Sequence, residues 1–75
     1  PNEVRLQLRK EQETPSVFEA LRAVFSRNHG SCRVLLHLVD SRRVITTEER
    51  FWIEATPQTL EELEKVLGTG SVHTA

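Results

Sequence analysis

At 75 residues, 37% of them hydrophobic and 28% charged, the chain has the proportions of one small soluble globular domain with a core of limited area. Ten Lys+Arg against eleven Asp+Glu leave a net charge of −1, which argues against a DNA-coating or membrane-surface module but permits a local basic patch. Cys32 stands alone, so no internal disulfide can form, and no apolar run exceeds three residues, which predicts neither a membrane-crossing helix nor a signal peptide.

Residues 4–9 alternate, with Val4, Leu6 and Leu8 on one side and Arg5, Gln7 and Arg9 on the other, the period of a half-buried strand. Lys10 to Glu13 reads as a charged connector. Thr14-Pro15 predicts a helix start, because a threonine hydroxyl accepts an orphan backbone N–H and proline at the first helical position has none to lose. Val17, Phe18, Leu21, Val24 and Phe25 then recur at spacings of three and four, and Asn28-His29-Gly30 reads as a stop, with Gly30 suited to a left-handed cap.

Ser31 to Val39 is rich in branched apolar residues on both faces: Val34, Leu36 and Leu38 on one, Leu35, His37 and Val39 on the other. That pattern predicts a central strand. Asp40-Ser41-Arg42 predicts a tight turn in which Asp40 bonds the backbone two residues on. Arg43 to Thr47 resumes as a strand, antiparallel because the link is too short for a crossover. Arg50 to Glu54 is either a fourth strand or the far side of a bulge, with Phe51 and Ile53 opposite Trp52. Thr56-Pro57 repeats the helix start, Leu60, Leu63, Val66 and Leu67 form the stripe, and Gly68 ends it. The core is expected over 4–68, with 69–75 a flexible tail around Val72.

These elements predict an α+β fold, a two-layer α/β sandwich of order β-α-β-β-(β)-α. Its sheet is mixed and three- to four-stranded, with both helices on one face. The other sheet face is then left open, and Leu35, His37, Val39 and Trp52 fall on it.

Chemistry finds little support in the residue spacing. His29, His37, His73 and Cys32 make no metal-ligand pattern, so no metal and no cofactor is expected. Cys32 reads as a small buried hydrophobe and His37 as a packed side chain. No nucleophile motif exists, and the glutamates at 48, 49, 61, 62 and 64 read as solvated charges. The fragment is therefore not expected to be an enzyme, and no small-molecule substrate is expected. Arg33, Arg42, Arg43 and Arg50 could gather along the hairpin as a nucleic-acid edge, although Trp52 is the one stacking ring near them and Glu48, Glu49 and Glu54 reduce the potential.

The ordered pattern as a whole resembles a known family. A helix ending in His29-Gly30 precedes C-R-V-L-L-H-L-V-D (Cys32 to Asp40), then R-R-V-I from Arg42 and E-E-R-F-W-I from Glu48. T-P-Q-T-L-E-E-L-E-K-V-L-G from Thr56 and G-S-V from Gly70 follow. This is similar to the extreme C-terminal domain of the alpha (catalytic) subunit of bacterial DNA polymerase III, over Val4 to Val72. The lack of any methionine agrees with a domain excised from a larger chain. The resemblance implies a cytoplasmic bacterial protein whose polymerase carboxylates lie upstream, with an OB-fold domain and a clamp-binding segment before this one. It also implies attachment to the tau subunit of the clamp loader, and in some lineages assembly by a split intein. No catalytic residue of the family maps onto this chain.

The expected function is thus docking of the polymerase to tau, with Leu35, Val39 and Trp52 as anchors, Arg33 and Arg43 as rim contacts, and Val72 contributing from the tail. The open face could instead pack on the preceding domain of the same chain. The alternative class is a small nucleic-acid-binding module using Arg42, Arg43 and Arg50, with at most weak DNA contact.

Overall fold

Alternation in the first strand places Val4, Leu6 and Leu8 entirely out of solvent, and this inward row is the spine of the molecule. The computed structural model describes residues 1–75. Strand β1 (Glu3–Leu8) leads through a short 3-10 turn to helix α1 (Pro15–Arg27), then to β2 (His29–Leu38) and β3 (Arg43–Thr46). A second 3-10 turn, helix α2 (Pro57–Leu67) and strand β4 (Val72–Thr74) complete the chain. The sheet order is β3-β2-β1-β4: β1 and β2 run parallel, and β3 and β4 pair antiparallel to β2 and β1. The architecture is the expected two-layer sandwich with a mixed sheet.

Both helices start as their threonine-proline pairs predict. The Thr14 hydroxyl accepts from Val17 N–H at 3.2 Å and the Thr56 hydroxyl from Thr59 N–H at 3.1 Å, with proline following in each case. Leu21, Val24 and Phe25 from α1 and Leu63 and Leu67 from α2 meet Val4, Leu6, Leu8, Val34, Leu38 and Ile53 in one core. Phe18 sits at its margin, only partly buried. Cys32 is inside as expected, and burial pushes its thiol above the usual range. Gly68 ends α2 at a φ of 101°, where a side chain would be strained.

Five local expectations are corrected. Gly30 is not a left-handed cap: it lies inside β2, and Asn28 caps α1 instead. Glycine is needed there for space, since a Cβ would stand 2.6 Å from the carbonyl carbon of Ile53 and nearer still to the Glu54 nitrogen. Residues 50–54 do not form the fourth strand. Glu49–Phe51 is a 3-10 turn, and the extended segment after it pairs with β2 only through isolated bridges from Ile53 to His29 and Cys32. The fourth strand comes from the tail, where Val72 pairs with Leu6 and Thr74 with Val4; β1 offers an open edge that satisfies the tail's backbone.

The connector after β1 is not simply solvated. Gln12 is buried, and its Nε2 donates to the Leu67 carbonyl at 2.7 Å while its Oε1 accepts from Arg9 N–H at 2.9 Å. A glutamine thus closes the C-terminal end of α2, whose last carbonyls lack helical partners. Asp40 does not bond its own turn. Its carboxylate accepts from Lys10 N–H at 2.6 Å, tying the β2–β3 turn to the end of β1.

Candidate functional site

Parity along the strands decides which side chains share the helix-free face. Because Val4, Leu6 and Leu8 turn inward opposite Val34, Leu36 and Leu38, the rows Glu3–Arg33, Arg5–Leu35 and Gln7–His37 turn outward. β3 extends the last two rows with Thr46 beside Leu35 and Val44 beside His37, and β4 places His73 beside Arg5. The open face is therefore mixed, with an apolar portion toward β3 and polar residues along β1 and β4.

The anchors expected from the sequence are only partly available. Leu35 is 7% exposed, which corrects its role as an accessible anchor. Arg5 and Thr46 flank it directly in the ladder, close enough for their stems to shield it without any helix above. Val39 is half-buried at the start of the turn, and its N–H extends the parallel ladder to the Leu8 carbonyl at 3.0 Å. Trp52 precedes the inward Ile53 in extended backbone and so turns the opposite way, half-buried. Its indole N–H donates to the Thr47 carbonyl at 3.2 Å, which fixes the ring against the exit of β3.

The arginines do not converge. Arg33 is exposed on the open face opposite Glu3, while Arg43 opposes Leu38, on the helix-side parity, five residues further along β2. That separation is about 16 Å along the strand. Arg43 is thus not a rim residue of the open face. Arg42 occupies the turn at a φ of 57°. Arg50 lies beyond the opposite end of β3, bonded to Glu48 at 3.1 Å and stacked 4.7 Å from the Phe51 ring centre. There it lines a shallow depression with Arg22, Ser26 and His29. Val72 belongs to β4 rather than to a free tail, and it packs against the core.

Two features went unread in the sequence. Val44 and Ile45 are the exposed large apolar residues of the molecule, at 52% and 37%, and both belong to edge strand β3. Their β-branched pattern suggested a strand, but nothing local said that no further strand covers it. The second concerns His37, which lies packed on the open face as its parity predicts; what spacing does not show is that its Nδ1 is buried without a hydrogen-bond partner. Among the side chains, no group of three or more His, Cys, Asp or Glu is placed to hold a metal ion. No helix is long and apolar enough to cross a membrane.

The chain matches no family model, no curated protein and no solved structure.

Proposed function

We propose that this domain is a protein-docking module, the C-terminal domain of a bacterial DNA polymerase III alpha subunit, holding the polymerase to the tau subunit of the clamp loader. The family part of the reading rests on the ordered sequence pattern from Val4 to Val72. The observation that supports docking is the helix-free sheet face. Val44 is 52% exposed on it, with Val39 and Trp52 half-buried toward the same side and Arg5, Gln7, Arg33 and His37 around them. Apolar groups inside a polar rim are the composition of a partner surface. Tethering through such a surface raises the local concentration of polymerase at the fork without any new chemistry.

The basic-hairpin alternative draws no support from the geometry, since Arg42 and Arg43 stand at one end of β3 and Arg50 beyond the other. Titrating the domain with tau and, separately, with a single-stranded oligonucleotide at two salt concentrations tests the proposal. Tau binding that changes little with salt and weakens by about 2 kcal/mol or more in Trp52→Ala is the expected result. Salt-steep oligonucleotide binding with tau inert would overturn it.

A further inference from the structure

The β3 edge carries an inference that does not rest on the docking proposal. All four residues of β3 are exposed, and no strand pairs with its outer side. Thr47 N–H donates to the Val34 carbonyl at 3.3 Å, which places the 47/34 pair in the hydrogen-bonded class of the antiparallel ladder. Those pairs alternate, so 45/36 and 43/38 are also bonded, while Val44 and Thr46 aim both N–H and C=O away from β2. Two residues at i and i+2 with free backbone groups are what an added strand requires.

The residues flanking them identify that strand. From 42 to 49 the chain reads Arg-Arg-Val-Ile-Thr-Thr-Glu-Glu, basic before the apolar centre and acidic after it. This pattern is complementary to itself when reversed. We propose that β3 pairs antiparallel with β3 of a second copy about a two-fold axis through Ile45. Val44 then opposes Thr46 of the second copy, and the four free N–H groups of the two strands meet the four free carbonyls. Ile45 meets Ile45 of the second copy, which covers apolar surface that is 37% exposed in the single chain. Beyond the paired residues, the basic end of each strand (Arg42, Arg43) lies toward the acidic end (Glu48, Glu49) of the other copy, an arrangement repeated by symmetry. In any other self-pairing register the free backbone groups are missed or the charges are displaced. A parallel arrangement would set like charges side by side.

Nothing within the chain opposes this pairing. Glu48 holds Arg50 at 3.1 Å, but both side chains are more than 70% exposed, and such a pair is exchanged at little cost. Edge strands that avoid association commonly carry charge at the centre of the strand; here the centre is Val44-Ile45 and the charges stand at the ends. β4, at the other edge, is three residues long and lies beside α2, with which it shares a groove lined by Pro57, Leu60, Glu61 and Glu64. A four-residue seam is far smaller than a standard interface, so the dimer is weak and exchanges rapidly. The result is a continuous eight-stranded sheet with two pairs of helices.

Sedimentation equilibrium of the 75-residue chain from micromolar to millimolar concentration tests the proposal with two charge-reversed variants. One carries Arg42→Glu with Arg43→Glu, the other Glu48→Arg with Glu49→Arg. Each alone is expected to self-associate at least tenfold more weakly than the parent, because both ends of its seam then repel. Mixed in equal amounts, the two are expected to associate within about threefold of the parent, since opposite charges again face each other. A misfolded variant could not be rescued in this way. A parent that remains monomeric to millimolar concentration would overturn the proposal, as would a dimer whose strength neither reversal changes or a mixture no stronger than its parts.

Discussion

Replacing Gly30 with alanine tests a close backbone approach between β2 and the segment at Ile53. A methyl group at this position would overlap the Ile53–Glu54 peptide, since even the Ile53 carbonyl carbon lies only 2.6 Å from the Cβ site. Both neighbours are main chain, so the strain cannot be relieved by turning a side chain, and the segment must move away from β2. Two backbone hydrogen bonds span that junction: Gly30 N–H to the Trp52 carbonyl at 3.1 Å and Glu54 N–H to the Asn28 carbonyl at 2.7 Å. Losing both costs about 2 kcal/mol. Ile53, now 0% exposed, would give up part of its burial, about 1.5 kcal/mol more. Alanine restricts the unfolded chain and returns about 0.4–1 kcal/mol. The net loss is about 3 kcal/mol, or roughly 12–24 °C in Tm for a domain of this size. Thermal denaturation followed by circular dichroism, beside the exposed-neighbour control Ser31→Ala, gives the measurement. A Gly30→Ala protein melting within about 3 °C of the parent would refute the steric account.

Other substitutions separate the remaining elements. Leu63→Ala, at a fully buried position, should cost about 3–5 kcal/mol, while Phe18→Ala at the margin should cost nearer 2, both read by urea denaturation. Gln12→Ala leaves the Leu67 carbonyl without its side-chain donor and should cost about 1–3 kcal/mol, with faster amide exchange in the last turn of α2. Glu62 accepts from Arg27 at 2.7 Å, and that bond holds its carboxyl below the usual glutamate range. A lowered folded-state value means stability that is present above the unfolded-state value, about 4.3, and is lost as pH falls through the folded one. Glu62→Gln should therefore lose less Tm than the parent on acidification through that range; an identical acid-side slope would count against the pairing.

What the sequence made legible was whatever local spacing controls. The first strand, the two threonine-proline helices and the Arg43 strand are each encoded in a local window of about the element's own length. The role of Gly30 escaped because freedom of φ and lack of a Cβ leave the same letter in a sequence, and only the partner segment at Ile53 distinguishes them. β4 escaped because three residues beside a polar tail carry almost no period, and their strand character comes from an edge sixty-odd residues away in the chain. The open face was foreseen from parity alone. Its accessibility was not, since whether Leu35 is reachable depends on Arg5 and Thr46, which arrive from two other strands. Likewise the arginines of the hairpin are close in sequence, yet parity and strand length distribute them between faces and ends.

The pairing of β4 with β1 has a mechanical consequence. Asn2 N–H donates to the Ala75 carbonyl and Ala75 N–H to the Glu3 carbonyl, each at 3.0 Å, so residues 2 and 75 leave the sheet side by side. Tension applied between those two points runs across the strands rather than along them. The β1–β4 hydrogen bonds would then be loaded one after another, as teeth of a zipper are, and never shared as in a sheared ladder. The domain should consequently yield at low force, starting at Ala75 and peeling toward Ser71. Pulled between the β2–β3 turn and residue 2, the same fold would place the long parallel β1–β2 ladder in shear and resist far more strongly.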